Sequence, residues 1–303
     1  MKSNPLVTIL MPVYNGSEYL NETIESIINQ SFQDYELLII DDCSTDNSVD
    51  IINFFNDKRI NLIINNKNIG QSRTLNKGIL RSKGKYISRI DQDDIYHEDK
   101  IRKQVDHLVK NKTDILGSWS KIIDFDSNTI GFTHHPSDYN KIKDALPIGV
   151  VFTHSSVIFN KNKIIEVGSY SDDFSITMDW ELWIRCLKNN LTIECIPEYL
   201  VKIRQHPHQT TASQRGKINN YKEAIKLLSE SRKFIISEEN IKASIGFEHF
   251  YKLKLYLFEK KIINIIKCIL NLKNFIQLIK LFYFHKIIRK PNHFYNPPTI
   301  YIK

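Results

Sequence analysis

Short apolar runs of strand length alternate with segments of helical apolar period from residue 7 to residue 90, and this alternation leaves few folds open. Val7 to Met11 reads as a buried strand, and Leu20, Ile24, Ile27 and Ile28 then recur at helical spacing. Asn15 with Glu18 three residues later is a candidate cap for that helix. A second strand, Tyr35-Glu36-Leu37-Leu38-Ile39-Ile40, ends in Asp41-Asp42 and a polar turn through Asn47. A helix through Ile51, Ile52 and Phe55 follows, then a strand at Asn61 to Ile64 and a helix from Gln71 to Leu80 closed by Ser82-Lys83-Gly84. The next strand, Tyr86 to Ile90, runs into Asp91-Gln92-Asp93-Asp94. Strand and helix in strict alternation imply an α/β fold with a mostly parallel sheet, helices on both faces, and a ligand crevice beyond the carboxyl ends of the strands.

Polar residues gather at those ends. Pro12-Val13-Tyr14-Asn15, Asp41-Asp42 and Asp91-Gln92-Asp93-Asp94 each follow a strand, so all three converge on one crevice. Three carboxylates within four residues repel one another unless they raise their pKa values or share a cation, and hard oxygen ligands suit Mg²⁺ or Mn²⁺ bridging phosphates. An isolated D-x-D-D is more often a solvated acidic turn. Its coincidence with two other polar strand ends favours the functional reading.

At 303 residues and 42% hydrophobic, the chain is long enough for one large domain or one domain with an appendage. Cys43, Cys186, Cys195 and Cys268 are far apart with no C-x-x-C pair, which argues against a zinc site or a disulfide framework and fits a reducing cytosol. Met1 to Pro5 lead into a short apolar run with no secretory pattern, so an intracellular, cytoplasmic protein is expected. The net charge of +8 is unevenly placed: residues 241–303 carry 12 Lys+Arg against 2 Asp+Glu, and the preceding 240 carry 30 against 32. A near-neutral body with a basic tail and no aromatic-basic module argues against nucleic acid and points to an anionic membrane surface as the acidic partner.

The segments Val7 to Gly16, Gln30 to Asp46, Asn68-Ile69-Gly70, Asn76-Lys77-Gly78-Ile79 and the carboxylate cluster together resemble the family 2 glycosyltransferases. These are inverting, nucleotide-sugar-dependent enzymes of the GT-A fold, a Rossmann-like mostly parallel sheet flanked by helices. With downstream matches the resemblance covers roughly residues 5 to 210 and gives a catalytic domain over 1–215, followed by a basic, apolar helical C-terminal region over 216–303. It implies that Pro12, Val13, Tyr14, Asn15 and Asp42 hold the base and ribose of a nucleotide sugar, with a UDP-sugar expected. Cys43 stands where the family often has Gly, and reads as tolerated turn geometry. By the same resemblance Asp91 and Asp93 form the D-x-D pair, Asp93 or Asp94 is the direct ligand of Mn²⁺ or Mg²⁺, and its neighbour contacts ribose.

Downstream, Asp179 in Ser175 to Arg185 resembles the family's general base, which takes the proton of an acceptor hydroxyl as it attacks the anomeric carbon opposite the diphosphate. As a plain helix N-cap, Asp179 has a structural alternative, and Glu181 is the second candidate base. His154 and Trp180 are expected on the acceptor side, although a buried, hydrogen-bonded histidine is equally consistent with His154. Arg204 to Thr211 resembles a loop closing over the donor, in which His206, with His208 as rival, completes the metal shell or contacts phosphate.

Residues 245 to 290 are apolar but broken by Lys267, Lys273 and Lys280, so no run reaches the about 18 to 20 residues that span a bilayer. Lys260, Asn264, Lys267, Asn271 and Asn274 make a narrow polar stripe. Such helices pack on the catalytic domain or a second subunit, or rest on anionic lipid. The expectation is a metal-dependent inverting hexosyltransferase, moving a hexose or N-acetylhexosamine to a hydroxyl of a glycan or lipid-linked acceptor in bacterial surface polysaccharide synthesis (lipopolysaccharide or capsule). It is expected to be peripheral on the inner membrane face. A sugar-1-phosphate nucleotidyltransferase is the first alternative, weakened because Pro12 to Gly16 lacks a Gly-rich basic loop; a non-catalytic nucleotide-binding, membrane-associated protein is the second.

Overall fold

The computed structural model describes residues 4–209, 218–234 and 238–258. The elements run β1 (Val7–Val13), α1 (Leu20–Ile28), β2 (Tyr35–Asp41), α2 (Ser48–Phe54), β3 (Ile60–Ile64), α3 (Gln71–Arg81), β4 (Tyr86–Arg89), β5 (Ile95–Tyr96), α4 (Lys100–Asn111), β6 (Ile115–Ile123), β7 (Thr129–Thr133) and α5 (Tyr139–Ala145). After two single-turn helices at Leu146–Ile148 and His154–Ser156 come β8 (Ile158–Asn160), α6 (Lys161–Glu166), α7 (Met178–Lys188), β9 (Ile193–Arg204), α8 (Ile218–Ser231) and α9 (Glu238–Phe258). The described strands form one sheet in the order β3-β2-β1-β4-β8-β6-β9-β5, with β7 on β6. The pairs among β3, β2, β1 and β4 are parallel, as the alternation predicts. Beyond β4, short β8 runs antiparallel between β4 and β6, while the long β9 lies parallel to β6.

β1 and β2 are buried on both faces, so their sequences are almost continuously apolar. One face packs Leu20, Ile24 and Ile27 of α1 and Ile101, Val105 and Leu108 of α4 over Val7, Ile9 and Met11. The other packs Leu75 and Ile79 of α3 and Leu182 and Trp183 of α7 over Leu10, Leu38 and Phe159. Each fully buried Leu or Ile contributes about 1.5–3 kcal/mol relative to exposure. Gly84 lets the turn before β4 cross β1: a Cβ there would lie 2.3 Å from the Thr8 nitrogen.

The predicted Asn15–Glu18 cap does not form. Helix α1 starts only at Leu20, and the Asn15 side chain instead accepts a hydrogen bond from the Thr45 nitrogen at 2.8 Å. In the C-terminal region, Ala224, Leu227 and Leu228 of α8 join the core beside α7, and Ser231 donates to the Pro147 carbonyl at 2.9 Å. Among the described residues no helix is long and apolar enough to cross a membrane. The polar stripe from Lys260 to Asn274 lies outside the described residues.

Candidate active site

Four parallel strands deliver their carboxyl ends to one edge of the sheet, and hydrogen bonds tie the loops there to one another. The Tyr14 nitrogen donates to Gln92 Oε1 at 2.8 Å, and Gln92 Nε2 donates back to the Tyr14 carbonyl at 3.1 Å, joining the β1 loop to the carboxylate loop. Asp42 joins the β2 loop to the segment after β3: its Oδ1 accepts from Asn65 Nδ2 at 2.7 Å and the Ile69 nitrogen at 2.9 Å, and its Oδ2 from the Gly70 nitrogen at 2.9 Å. Gly70 presents that N–H from a left-handed backbone, φ 86°, which glycine adopts without Cβ strain. Tyr14 is 47% exposed and Asn15 is exposed at this edge of the sheet. Pro12 and Val13 lie inside β1, opposite Ile40 and Asp41, rather than in the loop, and Val13 is core.

One oxygen from each of Asp91, Asp93 and Asp94 falls within 4.8 Å of the others. Each carboxylate has a different neighbour. Asp91 is gripped through both oxygens by Arg89, a 1% exposed guanidinium, and its nitrogen donates to Ser155 Oγ at 3.0 Å. Asp94 is 3% exposed and accepts from the Arg204 nitrogen at 3.0 Å. Asp93 Oδ2 faces His206 Nε2 at 2.9 Å. Burial and the charges of Asp93 and Asp91 hold the Asp94 carboxyl well above the usual range, and burial raises Asp91 despite the Arg89 charge.

Arg204 closes β9 and fastens the cluster from behind. Its Nε donates to the Asp93 carbonyl at 3.1 Å, Nη1 to the Asp124 carbonyl at 3.2 Å and Ser127 Oγ at 2.9 Å, and Nη2 to Glu22. The guanidinium stacks on Tyr19, 4.5 Å from its ring centre, and Tyr19 in turn packs on His206 at 4.8 Å. His206 Nδ1 is buried and has no hydrogen-bond partner among the described residues. His208 is exposed, its ring 6.4 Å from that of His206. Three hard carboxylates with an adjoining imidazole fit an oxygen-seeking divalent ion such as Mg²⁺ or Mn²⁺.

Asp179 occupies the first turn of α7, where its Oδ1 accepts from the Trp180 nitrogen at 2.7 Å. The N-cap position belongs to Thr177. Burial pushes the Asp179 carboxyl up to about 6, while the Trp180 hydrogen bond and the Arg89 charge pull it down. Arg89 also acts electrostatically on Asp91, His154 and Tyr170, so one buried cation links the acidic cluster to Asp179 and His154. His154 Nε2 meets the Tyr170 hydroxyl at 2.7 Å, and burial holds its pKa well below the ordinary histidine value.

Two expected residues turn away from the crevice. Glu181 forms a two-pronged pair with Arg185, which also donates to the Val167 and Ser169 carbonyls. Trp180 is 3% exposed and donates to the Leu146 carbonyl at 2.7 Å, so its indole is core rather than an acceptor contact. Conversely, the sequence reading gave Arg89, Ser155 and Glu223 no role, and Arg204, expected in the loop over the donor, is instead the last residue of β9. Arg89 left a signal, a cation inside an apolar run two residues before an acid. Glu223 left none: it reaches from α8 to accept from the Ser175, Ile176 and Thr177 nitrogens and both hydroxyls, anchoring the loop that precedes Asp179.

The sequence profile of glycosyl transferase family 2 matches residues 8–172. A glycosyltransferase from Methanocaldococcus jannaschii is 34% identical over 206 residues, 66% of this chain and 71% of its own. Among solved structures, S. aureus TarS 1-349 in complex with UDP-GlcNAc superposes with a TM-score of 0.62 at 13% identity, over 83% of this chain and 73% of that one. The mannosyltransferase PcManGT from Pyrobaculum calidifontis, in complex with GDP-Man and Mn²⁺, gives 0.61 at 14% identity over 96% and 82%. These two structures share the GT-A fold with this chain.

Proposed function

The chain belongs to glycosyl transferase family 2, and from that premise we propose that it is a metal-dependent inverting enzyme moving a hexose or N-acetylhexosamine from a UDP-sugar to a hydroxyl of a glycan or lipid-linked acceptor. The reading rests on one observation above all: a carboxyl with its pKa raised to about 6, Asp179, shares the field of Arg89 with a three-carboxylate cluster. A carboxylate near neutral pKa takes a proton without being trapped in the charged form, and the cluster supplies the charge sink that a diphosphate leaving group needs.

In this reading Tyr14 packs on the base or ribose, and Asp42, held rigidly by its three donors, lines the base pocket. Asp93 and His206 would hold the divalent ion, with Asp94 offering the oxygen left free by Arg204. An ion held there would supply charge neutralisation for the departing diphosphate. Asp91, neutralised by Arg89, is left to orient ribose through hydrogen bonds. Asp179 takes the acceptor proton as the new glycosidic bond forms on the face opposite the departing diphosphate, which inverts the anomeric centre.

Incubating the full chain with a panel of nucleotide sugars and Mn²⁺ or Mg²⁺ tests this. The expected product is a nucleoside diphosphate, absent with EDTA, and NMR of the glycan product should show inverted anomeric configuration. Asp93→Ala should abolish metal-dependent nucleotide binding, and Asp179→Asn should keep donor binding while losing transfer. Release of pyrophosphate from a nucleoside triphosphate and a sugar phosphate would instead identify a nucleotidyltransferase, and a chain that binds nucleotide sugars without turning any over would leave only a binding role.

A further inference from the structure

We propose that the sheet face carrying Trp119, Lys121, Phe132, His134, Tyr199 and Lys202 is a subsite for an anionic saccharide, the carboxylate- or phosphate-bearing chain of an acceptor glycan. This rests on the glycosyltransferase reading and adds the acceptor's chemical class to it. The six residues come from three adjacent strands or their ends. In register, Lys121 of β6 lies opposite Phe132 of β7 and Lys202 of β9, and Trp119 lies opposite Tyr199. Directly opposed residues share a face of the sheet. The rings make a continuous strip: Trp119 to Tyr199 at 5.6 Å, Phe132 to Tyr199 at 5.1 Å and Trp119 to His134 at 4.6 Å, with His134 hydrogen-bonded to the Tyr199 hydroxyl.

Half-exposed rings on a sheet edge are common, and alone they would only complete packing. The lysines are what folding does not explain. Like charges directly opposite across strands destabilise a sheet, and among the described residues neither Lys121 nor Lys202 has a carboxylate within ion-pair distance. The acids of β9 are committed elsewhere, Glu198 to Lys103 and Glu194 to His107 of α4. Lys202 is exposed and Phe132 is 45% exposed, while Lys121, Trp119, His134 and Tyr199 are half-buried, so the strip is open at the Phe132 and Lys202 end and partly covered elsewhere. A saccharide offers apolar C–H faces for the rings, and its carboxylates or phosphates would remove the lysine repulsion. A bare polyanion would leave the rings unused, and a neutral glycan would leave the charges unpaired.

The face is also continuous with the transfer site. Strand β9 carries Lys202 to Arg204, about 7 Å further along at about 3.3 Å per residue, where the Arg204 nitrogen binds Asp94. A glycan lying along the strip would therefore direct its growing end toward the acidic cluster.

Tryptophan fluorescence of the full chain reads the subsite, because Trp180 and Trp183 are 3% and 0% exposed and external quenching reports on Trp119. The probes are a heptamer of galacturonic acid, maltoheptaose as its neutral counterpart, and inorganic polyphosphate. Oligogalacturonate is expected to bind at least tenfold tighter than maltoheptaose at low salt; Lys121→Ala/Lys202→Ala should abolish that preference, and Phe132→Ala should weaken both saccharides. Removing opposed like charges relieves repulsion, so the double variant should fold. Equal affinity of the wild type for the two saccharides, an unchanged preference in the double variant, or polyphosphate binding as tight as oligogalacturonate would overturn the proposal. Nucleotide-sugar hydrolysis by the wild type, followed in parallel, keeps the two readings apart: its absence with every donor counts against transfer, whereas the subsite stands or falls on binding alone.

Discussion

Arg89 and Asp91, two residues apart, form a two-pronged pair in which the guanidinium is 1% exposed and the carboxylate 36%. The pair turns Asp91 into the neutralised member of the acidic cluster, and Arg89 has few alternatives, since its remaining Nε is buried without a partner among the described residues. Removing one member of a buried pair costs about 3–5 kcal/mol, and the partial exposure of Asp91 screens some of that. Arg89→Met should therefore destabilise the chain by about 2 kcal/mol or more in urea denaturation. Adding Asp91→Asn should recover part of the loss, and an unchanged midpoint for Arg89→Met would show the pair to be energetically idle.

Asp179 sets a pH signature. Its folded pKa, about 6, lies above the unfolded value of 3.8, so the folded chain binds the extra proton between those values. Its contribution to stability is thus greatest below about pH 4 and falls as pH rises through 6. At pH 7 the charged carboxylate costs up to about 3 kcal/mol at 1.36 kcal/mol per pH unit. Asp179→Asn keeps the acceptor for the Trp180 nitrogen and should raise Tm at pH 7 but not at pH 3.5. Transfer should climb with pH to a plateau just above 6 in the wild type and fall by about 10²–10⁴ in the variant, the usual contribution of a general base. Equal Tm gains at both pH values would remove the titration argument.

Much of this organisation can be read from the sequence, and the rest is hidden for definite reasons. Strand β2 reads as a buried strand because every residue from Tyr35 to Asp41 is buried, and the alternation places Asp42 and Asp91 to Asp94 on one edge. What a linear reading misses are partners set by long-range contacts. Glu223 meets Thr177 across 46 residues and Arg204 meets Asp94 across 110, and no local spacing encodes either. Trp180 and Glu181 mislead for the opposite reason. They neighbour the candidate base in sequence, but at about 100° per residue a helix sends adjacent side chains to different faces.

Glu223 is a positioning residue for α7. Its carboxylate collects three backbone N–H groups and two hydroxyls from residues 175 to 177, so truncation frees the loop on which Asp179 depends. Glu223→Ala should lower kcat about tenfold to a hundredfold while leaving the KM for donor within about twofold, since misplacement by about 1 Å costs on that scale. Glu223→Gln, which keeps acceptor oxygen, should restore part of kcat. A rise in donor KM with kcat intact would place Glu223 in nucleotide binding instead.

Cys43 follows Asp42 with φ 67°, a left-handed conformation in which a Cβ is strained by about 1–2 kcal/mol. The turn is held on both sides, by the Asp42 nitrogen on the Val13 carbonyl at 2.7 Å and the Ser44 nitrogen on Asp41 Oδ2 at 3.0 Å, so the backbone cannot relax by leaving that region. Cys43→Gly removes the strain but gives the unfolded chain about 0.5–1 kcal/mol more entropy to lose, so the net gain should be at most about 1.5 kcal/mol. Cys43→Val adds a β-branch to the same φ and should destabilise by at least about 1 kcal/mol. Added strain at residue 43 falls directly beside Asp42, whose carboxylate accepts from the Ile69 and Gly70 nitrogens, so the thermal shift produced by added UDP should also shrink in the valine variant. A valine variant with full nucleotide response and unchanged Tm would mean that the turn is softer than its hydrogen bonds suggest, and that Asp42 is held by Asn65, Ile69 and Gly70 independently of the residue beside it.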